Sequence, residues 1–358
     1  MNNGNTDGAV PHRILIILLG SIGDVVRALP LLGRLRKAYP DAHIAWAVEP
    51  KSAPVIEGHR WLDEMIIYNR ARAPWSFPSF LYRVRAGHFD LVLDLQRHLK
   101  SGLIARVSGA TDRLGFSAAN TKEFNHRFST RQVAAQPNMR LKLMQYQSFG
   151  DLLGIPAAPI EFGLEPTDND LRRTGELIGD VARPLLGVIL GSSWESRIYF
   201  AQPTAQAITE LRRRHGLTPV LIGAPEERAL ADEVRRYLGQ MDVVDLAGRT
   251  GLKDLAGIFR HCRAAFGPDC GPMHIAAAVG CPIVSLWGAT APERSAPWGF
   301  ADLAIKARIP CHPCYLRRCP INRECMHRIE PGEVVVAVER ALHPAAAENP
   351  QDLKTATI

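Results

Sequence analysis

Residues 13–30 read RILIILLGSIGDVVRALP. An apolar run over 14–19 meets the turn Gly20-Ser21-Ile22-Gly23. Asp24 then opens a stretch in which Val25, Val26, Leu29, Leu32 and Leu35 recur at helical spacing, with Pro30 expected to kink it. Strand, glycine turn and helix are the parts of a phosphate-binding βα unit, whose backbone N–H groups and helix dipole face an anion. A carboxylate at the helix mouth opposes that use. The dinucleotide pattern G-x-G-x-x-G also lacks its third glycine here, although Glu49, after the second strand, could mimic the ribose-binding acid of a dehydrogenase. Asp24 therefore has two readings. It is a helix N-cap, which contributes about 1 kcal/mol, or a general base held in a rigid turn with its pKa lowered by the helix dipole.

The same alternation continues outward. Strands are expected at 13–19, 43–48, 64–68 and 90–95, and a second series at 185–190, 218–222, 242–246, 264–267 and 282–287. Helical patterns at 203–215, 226–239, 252–261 and 272–280 separate the later strands. Such βα alternation predicts an α/β fold with parallel sheets, and two consecutive series predict two Rossmann-like domains. The series changes in 155–170 (IPAAPIEFGLEPTDND), giving a first domain over 13–160 and a second over 161–343 that includes the cysteine-rich segment 311–325. Residues 1–12 are expected to be disordered and residues 344–358 to form a flexible tail. Ligands are expected in a central cleft facing both domains, at the carboxyl ends of the strands.

Composition narrows the choices. The chain has 358 residues, 46% hydrophobic and 22% charged, within the ordinary range for a globular protein. No apolar stretch approaches the roughly 20 residues a membrane helix needs, so a cytoplasmic location is expected. A net charge of +7 suits an acidic substrate or an anionic membrane face. No zinc-finger, RRM or helix-turn-helix pattern supports a nucleic-acid partner.

Two later stretches suit an anion better than the opening turn does. In 267–282, GPDCGPMHIAAAVGCP, Pro272 is expected at the first helical position, and Gly271 lets the backbone approach a ligand. Asp269 could bind sugar hydroxyls, and His274 a phosphate or sugar oxygen. In 191–197, GSSWESR, the hydroxyls of Ser192 and Ser193 and the guanidinium of Arg197 follow a strand and could neutralise a departing diphosphate.

Together, LGSIGDVVRALP, LDLQRHLKSGLIA, GSSWESR and PDCGPMHIAAAVGCPIVSLWGATAP resemble the heptosyltransferases of glycosyltransferase family 9, over about residues 13–342. The resemblance implies a GT-B fold and inverting transfer of heptose from an ADP-activated donor to a lipid-linked acceptor of the lipopolysaccharide inner core, with no cofactor required. It puts the catalytic acid on Asp24. Donor binding falls on Ser192, Ser193, Asp269, Cys270, Gly271 and His274, with Arg197 where the family usually has lysine. Cys270 replaces a hydroxyl, and a thiol is the weaker hydrogen-bond donor. The rival readings are transfer of another sugar, a protein or capsule acceptor, a dinucleotide-dependent oxidoreductase or epimerase, and a nucleotide-binding module without catalysis.

Gly23, Arg97 and Lys100 are the candidate acceptor contacts. Arg97 and Lys100 follow the strand at 90–95, and Lys100, which matches a family lysine, could meet the carboxylates or phosphates of an anionic glycolipid. The segment 72–89 interleaves arginines with Trp75, Phe77, Phe80 and Tyr82. It reads either as an amphipathic helix packed on its own domain or as peripheral contact with the cytoplasmic face of the inner membrane. Cys311, Cys314, Cys319 and Cys325 are spaced C-x2-C-x4-C-x5-C. They could hold structural zinc or iron, brace a loop as reduced thiols, or form disulfides, which a cytoplasmic location disfavours, and no catalytic role is expected of them.

Overall fold

The computed structural model describes residues 10–72 and 75–343. The expected tail at 344–358 and most of the expected disordered N-terminus lie outside the described residues. The chain divides into two compact units after Gly163.

In the first unit the strands are β1 (Arg13–Ile17), β2 (His43–Val48), β3 (Glu64–Ile67), β4 (Leu91–Asp94), β5 (Asp112–Gly115) and β6 (Arg131–Gln132). They pair in parallel in the order β3-β2-β1-β4-β5-β6. β1 is central because Ile14, Leu15, Ile16 and Ile17 are all fully buried, as a strand covered on both faces requires. His12 is tied down ahead of it, its N–H donating to the Asp90 carboxylate at 2.9 Å.

The helix Ile22–Ala38 starts two residues earlier than the acid suggested. Its N-cap is Ser21, whose hydroxyl accepts from the Asp24 N–H at 3.4 Å. Asp24 is thus the third residue of the helix, and the N-cap reading falls. The helix continues through Pro30 without interruption.

The linker begins later than 160. Glu161 pairs with Lys37, the Phe162 carbonyl contacts the His59 ring, and buried Arg34 donates to the Ile155 and Pro156 carbonyls. These contacts hold the Pro- and Ala-rich stretch against the first unit.

The second unit repeats the plan with β7 (Leu185–Ile189), β8 (Thr218–Ile222), β9 (Val244–Asp245), β10 (Cys262–Pro268), β11 (Ile283–Trp287) and β12 (Ala304–Lys306), ordered β12-β11-β10-β7-β8-β9. Its core packs Val188, Phe266, Val284 and Leu286 against Ile208, Leu211, Val334 and Val338 of the flanking helices. Counted in each unit's own chain order, both sheets run 3-2-1-4-5-6, the doubly wound order whose ligand crevice opens where the winding reverses. Those reversal points lie between β1 and β4 in the first unit and between β7 and β10 in the second.

Candidate active site

In the first unit, Asp24 follows β1 and Gln96 and Arg97 follow β4, so the topology brings them to one reversal point. A side chain at Gly20 would lie in ordinary contact with Asp24 Oδ2 at 3.5 Å and Gln96 Nε2 at 3.7 Å, so this turn borders both groups. Asp24 Oδ1 accepts from Lys142 Nζ at 2.7 Å, Arg27 Nη2 at 2.8 Å and the Tyr146 hydroxyl at 3.2 Å. Oδ2 accepts from the Ser21 hydroxyl at 3.0 Å. Burial works to raise the Asp24 pKa, yet the charges and hydrogen bonds of Lys142 and Arg27 overcome it and hold the carboxyl well below the usual range. It is an ionised, weak base. Burial, with the Asp24 charge beside it, keeps the Tyr146 phenol protonated and donating.

The sequence expected only the helix dipole to act on Asp24. Of its actual partners, Arg27 alone carried a local signal, three residues along the same helix. Lys142 and Tyr146 come from the helix Lys142–Leu152, where spacing by four puts both on one face.

The proposed acceptor residues are differently placed. The Arg97 guanidinium stacks over the Phe116 ring, 4.2 Å from its centroid, and donates to the Gln145 side chain. Lys100 Nζ donates to the Tyr68 hydroxyl at 3.0 Å. Gly23 lies buried in the first turn of the helix Ile22–Ala38.

Behind this loop, Asp94 is fully buried and accepts from the Gln96 N–H at 3.0 Å, the Ser101 hydroxyl at 2.9 Å and Asn125 Nδ2 at 2.8 Å. Burial pushes its pKa up to about 7 against those three bonds. Asp94 therefore ties the strand end to the helix Leu99–Ser108, which carries Lys100.

In the second unit, the loop after β7 and the loop after β10 meet at the other reversal point. The Ser192 hydroxyl donates to the Asp269 carbonyl at 2.8 Å, and Arg197 Nη1 pairs with the Asp269 carboxylate at 3.1 Å. Thr290 donates to the same carboxylate at 2.6 Å. Asp269, expected to bind sugar hydroxyls, is 6% exposed and pairs its carboxylate with Arg197. The guanidinium lies over the Trp194 ring, 3.8 Å from the centroid.

The helix Gly271–Ala278 begins immediately beyond. Cys270 is its N-cap, Gly271 its first residue and Pro272 its second, one place later than expected. Burial pushes the Cys270 thiol up to about 12, so it stays protonated. His274 is buried and Ser193 exposed. Glu227, which sequence reasoning missed, sets its carboxylate against Gly191, where a side chain would collide with it at 2.2 Å. An acid there favours hydroxyls over phosphates. Gly267 is required for packing: a side chain would sit 2.6 Å from Ile189 Cβ of the neighbouring strand.

The cysteine segment leans on this cradle. The Ser196 N–H and hydroxyl donate to the Arg317 and Leu316 carbonyls, the Tyr315 N–H to the Ala289 carbonyl, and Arg323 to the Ile198 carbonyl. Cys311, Cys314, Cys319 and Cys325 are free thiols. Burial first, then the neighbouring thiols, pushes Cys325 up to about 11. Among the described residues, no group of three or more His, Cys, Asp or Glu side chains converges to hold a metal ion. In the other basic segment, Phe77 and Phe80 pack against Tyr68 while Arg83 pairs with Glu64, so most of 72–89 is ordinary packing.

Solved structures share the fold. The chain aligns with a glycosyl transferase family 9 structure from Veillonella parvula at a TM-score of 0.77 and 22% identity, covering 92% of this chain and 97% of that one. It aligns with E. coli heptosyltransferase WaaC with ADP at a TM-score of 0.71 and 19% identity, covering 92% and 99%. The fold is therefore that of the GT-B glycosyltransferases, two Rossmann-like units in one chain. The sequence model of glycosyltransferase family 9 (heptosyltransferase) matches residues 78–324, and the chain belongs to this family. The lipopolysaccharide heptosyltransferase 1 of Pseudomonas aeruginosa is 25% identical over 355 residues, 92% of this chain and 98% of that protein.

Proposed function

We propose that this glycosyltransferase transfers heptose from an ADP-activated donor to an acidic, lipid-linked acceptor of the lipopolysaccharide inner core, with inversion at the anomeric carbon. Membership of family 9, and relatives named as lipopolysaccharide heptosyltransferases, support the donor and the acceptor class. The observation that carries the chemistry is the contrast between the two reversal points. One presents a carboxylate, and the other presents hydroxyls, a guanidinium and a helix N-terminus.

Asp24 Oδ1 is saturated with donors, so Oδ2 is the proton-accepting oxygen. The acceptor hydroxyl attacks the anomeric carbon as the bond from that carbon to the diphosphate breaks, and its proton passes to Oδ2. A carboxylate of low basicity suffices because the hydroxyl acidifies as the new bond forms. The leaving ADP is stabilised by Ser192, Ser193, Arg197 and the N–H groups around Cys270 and Gly271, with His274 on the sugar or phosphate. Asp269 holds Arg197 in place. No step runs through a metal.

Arg97 and Lys100, with the backbone at Gly23, supply the acceptor side. Trp75, 88% exposed, and Tyr82, 75% exposed, support peripheral contact with the cytoplasmic face of the inner membrane. No helix among the described residues is long and apolar enough to cross a membrane.

Positioned acid–base catalysis contributes about 10²–10⁴ in rate. Asp24→Asn should therefore lower kcat at least a hundredfold in a coupled ADP-release assay while ADP still raises the melting temperature. Near-normal turnover would reduce Asp24 to a structural residue.

A further inference from the structure

Two cations share one oxygen of Asp24. Arg27 and Lys142 both touch Oδ1, and Arg97 lies close enough to act electrostatically on Tyr146, the third donor. The two direct partners differ in kind. Arg27 sits on the same helix as Asp24 with its side chain 8% exposed, fixed by packing. Lys142 arrives from a different helix, as its first residue, with its side chain 24% exposed. A cation in a first helical turn opposes the helix dipole, so helix stability does not explain a lysine there. Its flexible four-carbon stem lets the ammonium move between anions, which a packed guanidinium cannot do.

We propose that Lys142 is the residue that couples acceptor charge to base strength: it pairs with Asp24 in the free protein and transfers to an anionic group of the acceptor when that group arrives. The exchange trades one ion pair for another. It leaves Asp24 oriented by Arg27, Tyr146 and Ser21 but relieved of one cation, and so more basic at the moment a hydroxyl is presented. An acceptor without the anion would leave the base masked. Lys142 thereby selects acidic acceptors as well as positioning the proton transfer. The inference rests on the proposed function, because it needs an acidic acceptor.

The test compares wild type, Lys142→Met and Lys142→Arg with ADP-heptose and a deacylated core oligosaccharide ending in a sugar acid, used as the free acid and as its methyl ester. The groups facing Asp24 are Arg27, Lys142, Tyr146 and Ser21, with Arg97 beyond Tyr146. In wild type, esterification should lower kcat/KM for the acceptor about tenfold, with part of the loss in kcat because the base stays masked. In Lys142→Met it should matter less than twofold, and Lys142→Arg should follow wild type in kind. The acid limb of kcat/KM, which reports the free protein, should move up by about one pH unit in Lys142→Met. The acid limb of kcat, which reports the complex, should stay where it is. An equal penalty for esterification in wild type and Lys142→Met overturns the proposal.

A second readout needs no turnover. The Asp24 carboxyl carbon, followed by NMR, should shift further with the free acid than with the methyl ester in wild type, and equally with both in Lys142→Met. If wild type fails to transfer heptose yet shows this difference, the donor assignment falls and the exchange stands. If wild type shows no difference, the exchange falls whatever the donor.

Discussion

Asp94 shows how much one buried carboxyl can set. It lies at the end of β4, one strand from Asp24, and its three donors fix the turn that leads to Arg97 and Lys100. With a native pKa of about 7, raised by burial, the folded protein keeps a proton that the unfolded chain releases near pH 4. Folding then becomes less favourable as pH rises from about 4 to 7, by up to about 1.4 kcal/mol per pH unit, and the loss is complete above that window. Asp24 has the opposite sign. Its depressed pKa contributes stability that is present above about pH 4 and lost as pH falls further. Denaturant unfolding of wild type and Asp94→Asn between pH 5 and 7 separates the two. The variant's stability relative to wild type should climb with pH, whereas parallel curves would mean that Asp94 is ionised throughout.

At the scale of elements, one arginine fastens the partners of the base. Arg34, 5% exposed, donates from the helix Ile22–Ala38 to the Gln147, Ile155 and Pro156 carbonyls and pairs with Asp151. It thus sets the helix that carries Lys142 and Tyr146. Arg34→Met leaves several buried carbonyls unpaired and should cost about 3 kcal/mol of stability. It should also lower kcat, because the two donors would no longer be held against Asp24. Denaturant unfolding and steady-state kinetics on one preparation check both, and a full loss of stability with unchanged kcat would separate this helix from the base.

The same helix marks the limit of sequence reading. β1 and the turn after it were legible because the apolar run, the glycines and the acid are neighbours in the chain, and 267–282 was legible for the same reason. Lys142 and Tyr146 reach Asp24 across 118 and 122 positions, and nothing within LKLMQYQ points to a distant carboxylate. Thr290, 21 positions from Asp269, was hidden likewise. The strands β5, β6 and β12 went unread because they are short and carry little apolar pattern, their existence depending on a neighbour to pair with. Asp269, legible as a candidate ligand for sugar hydroxyls, also pairs with Arg197, a contact hidden from the sequence because it depends on the loops after β7 and β10 meeting.

Across the whole molecule, one sheet order is used twice for opposite electrostatic purposes. At the first reversal point the helix mouth is occupied by a carboxylate and its cations. At the second it is left to backbone N–H groups, hydroxyls and a guanidinium held by a buried acid. The reaction proposed here needs this asymmetry, since a base and a leaving diphosphate cannot share one electrostatic environment. A crystal structure of the full chain with ADP tests it most directly. The diphosphate should rest against Ser192, Arg197 and the N–H groups at Cys270 and Gly271. Phosphates lying instead on the glycine turn at 20–23, beside Asp24, would contradict the account.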